Sequence, residues 1–574
     1  MRNRHLFALA FALLFPLAGH AATLKVFPEE ITLTGPRASQ RVRVALAEGS
    51  RVVADVTGEA KLLASDPAIV HVAGDTVSPL RDGSTTLTAS YQGHTARARI
   101  RTEEVEKPFT WNFRKHVIPV LTKLGCNSGA CHGALAGKGG LKLSLRGYDA
   151  VADHFVLTRQ ALGRRVDRAQ PAHSLMLLKP TMALPHGGGR RLEVDSPEFR
   201  LLGEWIASGA PGPRADDVAI DRLEVLPQGA LLKPGDSLQV LVRAWYSDGT
   251  SRDVTRWAKF NSSEDLVATV SPDGLVQVKG HGEAAITVWY SNHVAANRIT
   301  SPMPGQVAPE AFTRASHNNY IDDLVLNKLQ DLRIPPSPPC DDATFIRRVY
   351  LDAAGILPTP EEVQAFVTDK RADKRKRLIA ALLERPEFVD YWAYQWSDLL
   401  LITTHNLSQP SVWSFYQYVR QSVSDNKPWD QFAREIVTAR GSTLRNGAAN
   451  YFVMHKDVTD LNESTAVTFL GMSVTCCRCH NHPLEKWTQD QYWAMANLFS
   501  RVALKDGDRP EEVLVQVEPS GDVPHPRRGI AMAPAPLDGK PLSLDDPHDR
   551  RVAFADWLTG PDNPYFAKAL VNRV

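Results

Sequence analysis

Six cysteines occur among 574 residues, and three of them fall within one short stretch. Cys476-x-x-Cys479-His480 is the spacing by which c-type haem is fixed to a protein. Two thiols three residues apart each add to a vinyl group on one porphyrin edge, and the histidine that follows becomes the axial ligand of the iron. Attachment is local, so only the second axial ligand must come from elsewhere. Met454, His455 and Met495 are the candidates. Cys477 and His482 crowd the same stretch and keep two other readings open: a structural zinc site, or a disulfide in which Cys477 pairs with the isolated Cys340. His482 is too close to His480 in sequence to reach the opposite face of the same haem easily.

A second cluster, Cys126-x4-Cys131-His132, is two residues longer. Its loop must bulge for both sulfurs to reach vinyl carbons, and a Cys126–Cys131 disulfide competes with haem. A distal ligand should come from Met176, Met182 or His186. His186 is favoured, because Gly187, Gly188 and Gly189 let the backbone bend close to a flat cofactor. Met182 is the next choice, and a methionine would raise the potential.

These clusters need rigid surroundings. Val117, Val120, Leu121 and Leu124 form one face of a helix leading into Cys126. Ser196 caps a second helix with Pro197 at its first position; Phe199, Leu202 and Ile206 form its stripe, and Gly209 stops it. Around the other motif, Asn462 to Leu470 reads as a helix. Thr488 to Gln491 is a capping box that opens a helix carrying Tyr492, Trp493, Met495 and Phe499. Thr359 to Glu362 is another, Leu378 to Leu383 marks a further helix, and Pro386 interrupts it. The tryptophans of this half, Trp392 to Trp493, are core residues at helical spacing.

Two regions read as strands. Residues 22–103 alternate apolar and polar, and residues 218–303 repeat the pattern. Gly83 to Tyr91 aligns without a gap on Gly282 to Tyr290, and Pro67 to Val70 on Glu264 to Val267, an internal repeat of β-sandwich size. Residues 1–21 read as a secretory signal, with Arg2 and Arg4, an apolar run from Leu6 to Leu17, and a small-residue site at Gly19 to Ala21. Without those two arginines, basic and acidic residues balance at 64 each, which argues against a nucleic-acid partner. The remaining chain offers no transmembrane segment.

The expected organisation is a multidomain mosaic. After the signal come an immunoglobulin-like β-sandwich (22–103), a helical cytochrome c-like domain (104–215), a second sandwich (218–303) and a mainly helical domain (308–500). A linker or irregular segment (501–547) follows, and residues 548–574 begin a further domain that the chain leaves incomplete. Ser247 to Thr250, Asp253 to Thr255 and Ser262-Ser263 resemble group 2 bacterial immunoglobulin-like domains, which implies spacer or adhesive modules.

Phe345 to Asp352, Gly355 to Pro360, Thr468 to Gly471, Cys479 to Pro483 and Trp487 to Gln489 resemble a large family of secreted bacterial proteins with planctomycete-type cytochrome c domains. Cys126 to Pro213 is similar to that family's cytochrome-like domain. The resemblance implies an exported protein, periplasmic or at the cell surface. No reaction is securely assigned to the family, and suspected roles are redox chemistry or extracellular polysaccharide breakdown. The leading expectation is an electron-transfer protein with one or two covalent haem c groups, held by Cys126, Cys131 and His132 and by Cys476, Cys479 and His480, that serves a redox partner protein. The alternative is an adhesive or polysaccharide-binding or -degrading surface protein whose clusters are disulfides or a metal site. A hydrolase with a metal in Cys476 to His482 is a third reading, for which no carboxylate pair or nucleophile motif stands out.

Overall fold

The structure is a computed structural model and describes residues 22–49, 51–482 and 485–573. The secretory signal read at 1–21 and Pro483 of the second motif lie outside the described residues. The chain forms two compact units, 1–336 and 337–574.

In the first unit the sequence repeat becomes a structural one. Strands Gly83–Tyr91 and Gly282–Tyr290 are each nine residues long, and each forms an antiparallel hairpin with the next strand, pairing Tyr91 with His94 and Tyr290 with His293. Their inward residues, Leu87 and Ala89 in one and Ile286 and Val288 in the other, are fully buried, as period-two patterning requires. The upstream match shifts by one residue. Leu80 N and Arg81 N donate to Ile69 O, whereas Lys279 N and Gly280 N donate to Val267 O, so Ile69 corresponds to Val267 and not to Leu266. The physical reason is the opening glycine of each long strand. A Cβ on Gly83 would lie 3.0 Å from Ile69 and one on Gly282 3.0 Å from Val267, so both positions hold a buried apolar side chain against bare backbone.

The two sandwiches share a sheet. Strand Arg51–Asp55 of the first and Gly229–Leu231 of the second are parallel neighbours in one seven-stranded sheet, with Val52 opposite Ala230. Polar bonds reinforce this seam. Arg41 N donates to Asp253 Oδ2 (2.9 Å), Gln239 N to Asp55 Oδ2 (3.1 Å) and Arg243 Nη1 to Glu30 O (2.8 Å).

Between the sandwiches lies a helical domain with its own core of Phe113, Val117, Val120, Leu121, Leu202 and Trp205. Asn112 caps its first turn, accepting from Lys115 N (2.8 Å), and a π-type turn Phe113–Val117 runs into helix Ile118–Lys123. Helices Ala150–Thr158 and Pro197–Ala207 complete it. Ser196 accepts from Phe199 N (3.1 Å), and Trp205 Nε1 donates to Pro211 O (3.0 Å).

The second unit is mainly helical. Both capping boxes form, Thr359 with Glu362 and Thr488 with Gln491. Pro386 ends nothing by itself; it occupies the first position of helix Pro386–Leu399. Trp487 and Trp493 are buried, whereas Trp413 is exposed. Residues 501–547 are built into the unit. Strands Val502–Asp506 and Val513–Val517 join Gly441–Ser442 in a three-stranded sheet. Beyond them, Arg501 donates to Asp546 O (2.6 Å) and Leu544 O (2.7 Å), and buried Arg550 donates to Asp522 Oδ1 (2.6 Å). Arg501 and Arg550 thus fasten this irregular segment to the unit. Among the described residues no helix is long and apolar enough to cross a membrane.

Candidate functional site

Helix Ile118–Lys123 delivers the chain into the Cys126 loop, and the two extra residues wind into a closed turn. Cys126 N donates to Leu121 O (2.9 Å), Cys131 N to Ser128 O (2.9 Å) and His132 N back to Cys126 O (3.0 Å). Asn127, almost wholly buried, donates to Thr122 Oγ1 (2.9 Å), and its carbonyl accepts from Arg146 N (3.0 Å). Gly133 is obligatory here, since a Cβ would lie 2.2 Å from Asn127 O. Cys126 and Cys131 are both free thiols. Burial, with the nearby Cys131 adding to it, pushes the Cys126 thiol up to about 11, so it stays protonated at neutral pH.

His132 lies with Nδ1 3.1 Å from Lys138 O and 3.2 Å from Leu141 O. Carbonyls only accept, so Nδ1 carries the proton and Nε2 keeps its lone pair. His186 is arranged in the same way, with Nδ1 2.8 Å from Gly189 O. The two rings have centroids 6.3 Å apart and planes inclined by 21°. Two imidazoles bonding one metal from opposite sides through Nε2, at about 2 Å each, put their ring centres about 6 Å apart. Burial holds His132 below the usual histidine range, and the charges of His186 and Arg165 add to that, which keeps the imidazole neutral and able to bind a metal. Gly188 packs on the His186 ring, where a Cβ would come within 2.9 Å of Cε1. Two imidazoles beside a Cys-Cys-His loop are donors of the kind that haem iron takes. Met182 takes a left-handed conformation (φ 66°) and is exposed, and Met176 packs against the domain core.

The second motif differs. Cys476 and Cys479 are exposed free thiols on and just after a 3-10 turn, Thr475–Arg478. The turn is anchored by Gln489 Nε2 (3.0 Å) and Trp493 Nε1 (3.3 Å), which both donate to Arg478 O. His480 Nδ1 meets the carbonyl of its neighbour Asn481 (2.7 Å). Cys477 points inward: it is fully buried, its thiol faces Trp487 O (3.6 Å), and burial pushes its pKa up to about 12. A side chain committed to the core is not directed at Cys340, and both remain free. Of the proposed distal ligands, Met454 and Met495 belong to the hydrophobic core, and His455 Nδ1 lies 3.1 Å from Asp460 Oδ2. Among the described residues no three His, Cys, Asp or Glu side chains are grouped as a preformed metal site.

One polar constellation escaped the sequence reading. On helix Val458–Leu470, Asp460 faces His455 and Glu463 Oε1 accepts from Tyr492 Oη (2.7 Å). The signal was present: Asp457, Asp460 and Glu463 recur every three residues and so share a helix face.

Residues 320–503 match the model of a family described as PSCyt2, a protein of unknown function (DUF1549). Over 86 residues the chain is 37% identical to an S-layer-related protein of Niallia circulans, spanning 15% of this chain and 5% of that protein. Over 71 residues it is 35% identical to ice-binding protein 1 of Shewanella frigidimarina, spanning 12% of this chain and 8% of that protein. Among solved structures, domains 1-6 of the surface layer protein SbsC align with 50% of this chain and 28% of their own, at 10% identity and a TM-score of 0.14.

Proposed function

We propose that the protein is exported and displayed at the cell surface, where immunoglobulin-like modules present a helical domain that binds a c-type haem through His132 and His186. The names of the two curated relatives, surface-layer-related and ice-binding, favour a surface role, adhesive or polysaccharide-facing, over a dedicated electron carrier. The haem part of the reading is carried by one observation, the two nearly parallel imidazoles 6.3 Å apart with Nδ1 of each at a backbone carbonyl.

In this reading Cys126 and Cys131 would supply the thioether bonds, and His132 and His186 would hold the iron. A bound haem would supply one-electron redox chemistry. The residues around it have simpler tasks. The carbonyls of Lys138, Leu141 and Gly189 fix the tautomer of each imidazole, Gly188 leaves room beside the distal ring, and Asn127 holds the loop closed. Cys476, Cys479 and His480 carry the shorter motif, and the reading rests its haem on the first cluster, where two histidine rings are paired.

The test is expression of the full chain in a host with the haem-attachment machinery. Acid-acetone extraction should leave haem bound, with a c-type pyridine haemochrome. His186→Ala should convert a low-spin spectrum to a high-spin one, and Cys131→Ala should leave at most one thioether. Absence of any Soret band, with unmodified Cys126 and Cys131 in mass spectra, sinks the haem reading and leaves the surface modules alone.

A further inference from the structure

Charge in the inserted domain is very uneven. Between Lys138 and Arg191 there are ten Lys and Arg residues against three Asp, in a chain whose total is only +2. All three carboxylates serve backbone donors: Asp149 accepts from Ala152 N, Asp153 from Ser144 N, and Asp167 from Ala169 N and Gln170 N. Among the described residues, exposed Lys138, Lys142, Arg159, Arg164 and Arg168 take part in no ion pair. They sit on one framework. The buried guanidinium of Arg165 donates to Gly140 O (2.6 Å) in the Lys138–Leu141 hairpin, and to Val156 O (2.8 Å) and Gln160 O (3.2 Å) at the end of helix Ala150–Thr158.

The same framework exposes apolar side chains. Val151 and Phe155 lie one turn apart on the outer side of that helix, in line with Arg159. Just beyond, Ala161 (φ 54°) and Leu162 (φ 59°) are consecutive left-handed residues without a glycine between them, and the Leu162 side chain is fully exposed. Residues of this kind rarely hold such a conformation, and no core of the domain includes Leu162.

We propose that this end of the domain docks on an anionic lipid surface, with Leu162, Phe155 and Val151 entering the boundary between headgroups and acyl chains while the five cations meet lipid phosphates. Charge complementarity selects an anionic partner, and the apolar tip selects a bilayer among anionic partners. An acidic polysaccharide has no use for an exposed leucine, and leucine and valine are under-represented where protein interfaces concentrate their energy. The proposal does not depend on haem.

The probe is sedimentation of the full chain with vesicles of phosphatidylcholine alone and of phosphatidylcholine with phosphatidylglycerol. Binding is expected only with phosphatidylglycerol, and should weaken about tenfold or more between low and high salt. Leu162→Ser with Phe155→Ser should weaken it about tenfold. So should Arg159→Gln with Arg164→Gln and Arg168→Gln. All these side chains are exposed, so the melting temperature of each variant should match the parent. No sedimentation with phosphatidylglycerol overturns the proposal, as does equal retention by neutral vesicles. Undiminished binding of the Leu162→Ser, Phe155→Ser variant, competed by soluble polygalacturonate, overturns it in favour of a site for polyanions in general.

Discussion

One buried histidine of the first unit has its proton affinity strongly altered. His116 is 8% exposed, packs edge-on against Trp111 and receives the Asn112 N–H on Nδ1 (2.9 Å). Burial first, then the Arg252 guanidinium, lowers its pKa to about 2. The folded state therefore refuses a proton that the unfolded chain takes up near the ordinary histidine pKa, and stability must fall as the pH drops through that interval. At 1.36 kcal/mol per unit, going from pH 6.5 to 4.5 should cost about 2 to 3 kcal/mol. Urea midpoints of the first unit at the two pH values measure this, and His116→Gln should remove that part of the slope. Nothing in the sequence marks His116, because its burial follows from where the Asn112 turn places it. Cys126, Cys131, His132 and His186, by contrast, stand out as candidates by residue type and local glycines. What spacing alone did not reveal is that the His132 and His186 rings lie side by side. The closer match to a haem motif, Cys476 to His480, has its surrounding methionines spent on the core.

Helix boundaries followed from local chemistry wherever a cap exists. Ser196, Thr359 and Thr488 each accept the expected backbone N–H. Removing such a cap costs typically about 1 kcal/mol. Ser196→Ala should lower the unfolding free energy of the first unit, read from urea titration, by that amount, since this helix carries Leu202, Trp205 and Ile206 into the domain core, whereas Ser196→Asp should retain most of it. Helices with a clear apolar stripe, such as Ile118–Lys123 and Lys374–Leu383, were legible without a cap, but irregular turns were not. The turn at Ala161 and Leu162 breaks the helical pattern with residues that ordinarily continue it. The one-residue slip between repeats arose because Leu266 and Val267 are both apolar, and only the close approach of Gly282 distinguishes them.

For the molecule as a whole, composition averaged away its most informative property. A total of +2 conceals a strongly basic domain balanced by acidic segments elsewhere, and only reading charge domain by domain reveals it. The division into two units was better marked: Pro335, Pro336, Pro338 and Pro339 cluster at the boundary. Exposed Arg333 follows helix Tyr320–Leu332 in a left-handed conformation, so brief trypsin treatment should cut there first and release two resistant fragments identifiable by mass. Uniform degradation without such fragments would contradict a division at that point.

The sheet shared by the two sandwiches has a mechanical consequence. A chain drawn out by its ends ordinarily transmits tension through every domain in series. Here strands Arg51–Asp55 and Gly229–Leu231 meet across the insertion, and Arg41–Asp253 and Arg243–Glu30 bonds lie beside that seam. Pulling therefore stretches the seam before the intervening helices, which hang outside the force path as a side branch. The Cys126 loop and its two histidines stay slack until the sandwiches part.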